Sequence, residues 1–185
     1  MDINTTFDYW LRVARHTDFK IERFSRPFSV AGVVTPDSLN SITIGQLIEL
    51  STLKDEDESL YRVCEIVLRL PRKKVASARA VDVVMFCGWV TGEVERINKV
   101  FEGTNATPTD VEKRAGIEKL RFGLFGMLDW YALRMGYQDQ EQVKDVPWMR
   151  VYKCMEMDVK RVQYQKRLQE VINDEYRRKN KGGVR

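Results

Sequence analysis

From residue 41 almost to the C-terminus, the apolar side chains recur at the three- and four-residue spacing of amphipathic helices. The clearest stripe predicts a long helix that begins near Ser77. Its members are Val83, Cys87, Val90, Val94, Ile97 and Phe101. Alternating steps of four and three residues are typical of a helix that organises a bundle. A second stripe, which Pro71 ends, predicts the preceding helix. Its members are Leu60, Val63, Cys64, Val67 and Leu68.

Capping signals predict where the other helices begin. Thr43 and Gln46 have the spacing of a capping box, and they predict a short helix that reaches about Leu53. Residues 107–110 combine Thr and Pro and predict the start of a helix that runs to about Gly136 with a weak point at its inner glycines. Residues 145–147 predict the start of the last helix, which runs to about Arg177.

The first 40 residues have a different pattern of apolar and polar side chains. Thr5 to Thr17 predicts a short helix, with Trp10, Val13 and Ala14 on one face. Residues 18–36 then alternate apolar with polar side chains between Gly and Pro boundaries, which predicts two short strands. Two strands alone bury little surface, so this arm is expected to pack on the helices or on another molecule.

Together these patterns predict a mainly α-helical bundle of five to seven helices with a small β hairpin or arm near residues 18–36. Three segments are expected. Residues 1–40 form the N-terminal helix and β arm, residues 41–176 the helical body, and residues 177–185 a basic flexible tail. No internal repeat interrupts this organisation.

Charge changes the picture only at the C-terminus. The chain carries 31 Lys and Arg against 27 Asp and Glu, and residues 177–185 hold five of the basic residues and no acid. The remainder is therefore close to neutral, which argues against a nucleic-acid footprint spread over the whole fold. Either the tail is a solvated terminus or it contacts phosphates without reading sequence. The residues that would make that contact are Arg177, Arg178, Lys179, Lys181 and Arg185.

The cellular compartment is inferred from what the pattern lacks. The longest apolar run, Val83 to Val90, is far shorter than the roughly 20 residues of a membrane span. No apolar segment near the N-terminus resembles a secretory signal. Cys64, Cys87 and Cys154 are odd in number and lie among apolar neighbours, which is typical of free thiols in a reducing compartment. We expect a soluble intracellular protein with no membrane contact.

Candidate chemistry is sparse. The single histidine, His16, is not accompanied by a nucleophile in a recognisable catalytic motif. The chain also contains no zinc-binding motif and no glycine-rich phosphate-binding loop. Asp82, Asp129 and Asp158 fall within apolar stretches and are expected to face solvent or to pair with nearby arginines. We therefore predict no catalytic residue, no metal ligand and no cofactor, and a protein that is not an enzyme.

Aromatic and apolar residues are the candidates for protein contacts, because Trp and Tyr dominate binding hot spots. Trp130, Tyr131 and Trp148 are the predicted anchors in the helical body. Phe28 and Val30 are the predicted contacts of the β arm, which would suit strand addition to a neighbour.

Residues 28–53, with the segment Ile42-Thr43-Ile44-Gly45-Gln46 at a helix start, resemble small proteins encoded among the virion and tail genes of tailed bacteriophages. The helix start Val146-Pro147-Trp148 is similar as well. The resemblance implies a non-catalytic structural or assembly protein, such as a tail-assembly chaperone or a head–tail component. Its implied partners are other phage structural proteins in a homo- or hetero-oligomer, and its implied location is the virion or the host cytoplasm. The alternative hypothesis is a nucleic-acid-associated accessory protein that uses the basic C-terminal tail.

Overall fold

A computed structural model of the chain describes residues 5–14, 25–54, 57–104, 108–120 and 122–182. The helices are α1 (Phe7–Ala14), α2 (Ile44–Thr52), α3 (Asp57–Leu68), α4 (Arg72–Ala76), α5 (Ala80–Glu102), α6 (Asp110–Arg114), α7 (Gly123–Met135) and α8 (Trp148–Gly182). The strands are β1 (Ser29–Val30) and β2 (Val33–Val34), and two 3₁₀ turns cover Ile117–Lys119 and Gln140–Asp145. The predicted fold class, mainly helical with a small β hairpin, is confirmed.

Helix α5 is the centre of the fold. It contacts α1, α2, α3 and the first strand of the hairpin. Its predicted stripe is buried as expected, since Val83, Cys87, Val90, Val94 and Ile97 are all inaccessible and Phe101 is half-buried. The spacing of apolar residues therefore identified the helix around which the others pack.

The start of α5 differs from the prediction. Ser77 does not cap it; instead this residue ends α4, and its hydroxyl donates to the carbonyl of Lys73. Residues 72–74, expected to be a plain connection, are the first turn of α4, which follows Pro71 at its N-cap. The start of α5 is fixed by the start of α1, through an antiparallel bridge between Thr6 and Arg79. A tertiary contact has replaced the local cap that the sequence suggested.

The buried residues of α1 lie outside the set of Trp10, Val13 and Ala14 that the spacing placed on one face. Phe7 and Leu11 are its buried residues, while Val13 is exposed. Phe7 packs edge-on against Tyr61 of α3, with 5.0 Å between ring centroids, and this contact sets the rotation of the helix. Trp10, the remaining aromatic residue of the predicted face, is half-buried and stacks on Phe7. Residues 15–17, the end of the predicted helix, lie outside the described residues.

The β arm is a tight hairpin that packs on the body. Ser29 pairs with Val34 and Val30 with Val33, and the two turn residues between them have positive φ angles. Val30 is fully buried, and β1 lies against α5. Of the two alternatives left open by the sequence, packing on the helices is the one observed. Residues 18–24, where the first predicted strand began, lie outside the described residues.

The single helix predicted from residue 107 to Gly136 is divided. Thr109 caps α6 with a capping box to Glu112, two positions after the Thr107 cap that the sequence suggested. Gly116, with a φ of 83°, and Gly123, with a φ of 55°, then adopt left-handed conformations that a continuous helix cannot accommodate. The predicted weak point at the glycines is therefore a break. Gly136 ends α7 in the left-handed conformation that its position predicted.

The last helix is longer than predicted. It has 35 residues, so it is about 52 Å long, and it continues to Gly182 through the first part of the expected tail. Between residues 160 and 180 every side chain is exposed except those of Lys166 and Ile172. The distal part of α8 therefore extends beyond the packed body. Among the described residues, no helix combines the length and the apolar character that crossing a membrane requires.

Candidate interaction surfaces

The predicted capping box at the start of α2 is present. Thr43 Oγ1 accepts a hydrogen bond from the Gln46 amide at 3.2 Å, and Gln46 Oε1 accepts one from the Thr43 amide at 2.9 Å. Gln46 Nε2 also donates to the carbonyl of Ile66 in α3 at 3.1 Å. The same glutamine therefore caps one helix and holds it to the next.

The two segments that carry the phage resemblance meet at one joint. The Ile44 amide donates to Val146 O at 2.8 Å, and the Trp148 amide donates to Ile42 O at 3.2 Å. The indole Nε1 of Trp148 donates to Leu39 O at 2.8 Å in a buried position. The start of α8 is thereby fixed to the start of α2 across about one hundred residues of chain. In this structure the two segments serve to join helices.

Three of the five predicted interface residues are corrected by the structure. Val30, Tyr131 and Trp148 are 0–1% exposed, because each fills the core rather than the surface. Phe28 is 77% exposed on the hairpin and remains available to a partner. Trp130 is half-buried and lines a surface groove.

That groove, which we call the α7–α8 groove, is an apolar concave surface with a volume of about 370 Å³. It is lined by Phe122, Gly123, Gly126, Met127, Trp130, Met155, Asp158 and Val159. Phe122 is 68% exposed at its edge, and Phe125, about one helical turn further along, is 66% exposed. Sequence reasoning missed both phenylalanines because they lie off the apolar stripe of α7.

A second groove of about 570 Å³ lies between α2, α3 and α5. Its apolar floor includes Leu60, Val63 and Cys87, and its rim is polar. The Cys87 thiol donates to Leu60 O at 3.6 Å. Its hydrogen bond with Cys64 and its burial raise the pKa of Cys87 well above that of a free thiol. Cys64 and Cys87 are buried free thiols, whereas Cys154 is only half-buried.

The aspartates within apolar stretches all have partners. Asp82 pairs with the nearby Arg79, as expected. Asp158 approaches the nearby Arg161 only to 3.9 Å and pairs more closely with Arg134, which is 24 residues away. Asp129 does not pair with Arg134 and instead accepts a hydrogen bond from a glutamine on a 3₁₀ turn. The pairs are Arg79–Asp82 at 2.8 Å, Arg134–Asp158 at 2.6 Å and Gln140–Asp129 at 2.7 Å. Within the described ranges, no group of three His, Cys, Asp or Glu residues could hold a metal ion. His16 lies outside those ranges.

An ion pair connects α6 to α8 near the point where α8 leaves the body. Lys166 Nζ donates to Glu112 Oε1 at 2.9 Å, and the Thr109 amide donates to the second carboxylate oxygen at 2.8 Å. Donation by Lys166, and then by Thr109, lowers the pKa of Glu112 to about 2. Among the described residues of α8 that follow Lys166, none forms an ion pair with the body.

The basic residues predicted to contact phosphates lie at the far end of α8. Arg177, Arg178 and Lys179 are exposed helical residues, and Lys181 also belongs to the helix. Arg185 lies outside the described residues. Arg177, Arg178 and Lys179 are therefore presented to solvent on a regular helix.

Comparison of the chain with family models, curated proteins and solved structures gives no match. The architecture defines a mainly α-helical protein with a packed hairpin, two surface grooves and a protruding C-terminal helix. Its function is therefore inferred from its own surfaces and from the sequence resemblance.

Proposed function

We propose that this protein is a non-catalytic structural or assembly component of a tailed bacteriophage that binds other virion proteins through its helical faces. The observation that carries the proposal is the α7–α8 groove with Phe122 and Phe125 exposed beside it. The resemblance of residues 28–53 and 146–148 to proteins of phage virion and tail genes supports the same class of function.

The groove has the composition of a protein-binding surface. Phe122 and Phe125 are about two-thirds exposed to water. A partner that covered them would bury this apolar surface and so stabilise the complex. Complete burial of a phenylalanine contributes about 1.5–3 kcal/mol, so the pair is sufficient to act as a hot spot. Asp158 and Arg134 form an ion pair at the groove and supply a polar edge that would orient a partner.

The hairpin offers a second surface for a partner. Phe28 and Val34 are 77% and 59% exposed, while the fully buried Val30 anchors β1 to the body. The ion pair of Arg26 with Asp37 at 2.8 Å, and its hydrogen bond to Thr35 O at 2.8 Å, hold the chain around the hairpin. A fixed strand edge with an exposed aromatic residue suits strand addition by a neighbouring subunit.

Size-exclusion chromatography with light scattering tests the proposal, on the protein alone and co-expressed with the products of its neighbouring genes. The informative variant carries Phe122→Gln and Phe125→Gln. The matched control carries Tyr9→Gln and Val13→Gln, which change two exposed apolar residues of α1 that are 64% and 53% accessible. Both variants keep the core intact, and circular dichroism verifies their helical content.

We expect the wild-type protein to form a homo- or hetero-oligomer, the groove variant to elute as a monomer, and the α1 variant to behave as wild type. A monomeric wild-type protein that also fails to co-purify with any neighbouring gene product would refute the proposal. Equal weakening of association in both variants would show that the groove is not the contact surface.

A further inference from the structure

Positive charge is concentrated in the part of α8 that leaves the body. Residues 160–185 hold nine of the 31 Lys and Arg but only three of the 27 Asp and Glu. This segment therefore carries a formal charge of +6, and the rest of the chain carries −2. We call its helical part, residues 160–182, the basic rod. The molecule is strongly polarised, with one exposed cationic helix on a slightly acidic body.

The dimensions of the basic rod match those of a nucleic-acid duplex. Twenty-three helical residues span about 34 Å, which is roughly one turn of B-form DNA. A duplex presents one phosphate charge per about 1.7 Å, so about 20 negative charges lie within that length. Nearly all side chains of the rod are exposed, so it can lie along a backbone without rearrangement of the core.

Three basic residues of the rod form a row. Lys160, Arg167 and Arg178 are separated by 7 and 11 residues, which are close to two and three complete helical turns, so they lie on one face. Arg167, Arg178 and the adjacent Lys179 form no ion pair with any residue of the described chain. Their charges are therefore not neutralised within the molecule and are available to an external anion.

The acids on the rod reduce this charge without reversing it. Glu170, Asp174 and Glu175 leave residues 160–182 with eight basic and three acidic side chains. Asp174 is already partly neutralised by Arg177 at 3.9 Å. Leu168 and Val171, exposed next to the basic row, are the feature that an acidic protein partner would cover. The net charge of +5 on residues 160–182, with Arg167, Arg178 and Lys179 unpaired, favours a polyanion with dense, regular charge.

We propose that the basic rod binds the phosphate backbone of nucleic acid without reading its sequence. Its arginines would neutralise phosphates and release counterions, so binding would fall steeply with salt. Tyr164 and Tyr176, 59% and 64% exposed on the rod, can stack on the bases of an unpaired strand. This goes beyond the proposed function and does not depend on it, because the α7–α8 groove takes no part.

Fluorescence anisotropy with labelled duplex DNA, single-stranded DNA and RNA of unrelated sequences tests this proposal, between about 50 and 200 mM salt. The full chain is compared with a variant carrying Arg167→Gln, Arg178→Gln and Lys179→Gln. The control variant has the same charge change on the body, with Lys73→Gln, Lys74→Gln and Lys99→Gln. All six residues are exposed, so both variants are expected to fold.

We expect the wild-type protein and the body variant to bind all sequences alike. In the rod variant the slope of log K against log salt should fall by about 0.9 for each phosphate that is no longer neutralised, so by up to about 3. Failure of the wild-type protein to bind at the lowest salt, or equal weakening in both variants, would overturn the proposal. Polyglutamate that binds as tightly as DNA of equal charge would also overturn it, in favour of an acidic protein partner.

Discussion

Substitution of Gly45 by Ala tests the joint between the starts of α2 and α8. A Cβ atom at this position would lie 2.9 Å from both the Cβ and the carbonyl oxygen of Lys144. The second of these atoms is backbone and cannot move aside like the end of a long side chain. Either α2 or the 3₁₀ turn at Gln140–Asp145 must therefore shift.

The magnitude follows from two opposing effects. Alanine would gain up to about 1 kcal/mol of helix propensity over glycine. Overpacking costs about 1–3 kcal/mol, and a shift at this place also strains the hydrogen bonds of Ile44 to Val146 and of Trp148 to Ile42, each contributing about 1 kcal/mol. The cost exceeds the gain. We expect a net destabilisation of about 1–3 kcal/mol, which lowers Tm by about 2–10 °C for a chain of this size.

Thermal and urea unfolding followed by circular dichroism measures this change. The matched control is Gly103→Ala at the end of α5, where φ is −63° and the added Cβ comes no closer than 3.4 Å to Val100 O. That variant should have a stability within about 0.5 kcal/mol of the wild type. If Gly45→Ala is as stable as the control variant, α2 does not pack as closely against Lys144 as the structure shows.

Three further predictions concern single side chains. Tyr131→Phe should be neutral or stabilise the fold by up to about 1 kcal/mol in urea unfolding, because the buried hydroxyl has no hydrogen-bond partner among the described residues; marked destabilisation would reveal one. Trp148→Phe should cost about 2–3 kcal/mol in the same assay, because it leaves Leu39 O unpaired and opens a cavity; an unchanged midpoint would contradict this. The ion pair of Glu112 with Lys166 should stabilise the fold above the unfolded-state pKa of about 4.3, and this stabilisation should be lost as pH falls towards the folded-state pKa of about 2. The difference in unfolding midpoint between wild type and Glu112→Gln should therefore shrink on acidification, and a constant difference would exclude the linkage.

The elements that could be predicted from the sequence are those whose signals are local. The capping box of Thr43 and Gln46, the helix end at Gly136 and the buried stripe of α5 depend on residues within a few turns of one another. Their hydrogen bonds and packing are determined by spacing alone. The fold class follows from such signals, because helices with one apolar face have few other ways to bury it.

The elements that the sequence did not predict depend on partners far along the chain. The cap expected at Ser77 was replaced by the bridge from Thr6 to Arg79, and the face of α1 was set by Tyr61. The division between α6 and α7 depends on left-handed glycines, which a pattern of apolar residues does not reveal. The α7–α8 groove was not predicted either, because its two walls come from segments more than 20 residues apart.

The burial of Trp148 shows that the segments on which the phage resemblance rests have a role inside the fold. As a tryptophan, Trp148 was expected to contact a partner, yet its indole is buried and hydrogen-bonded to Leu39 O. Gln46 and Gly45 of the other segment also serve the joint, one by capping α2 and the other by permitting its approach to Lys144. The features that would distinguish one protein with this joint from another are therefore the exposed ones, the α7–α8 groove and the basic rod, where substitutions alter binding and leave the core intact.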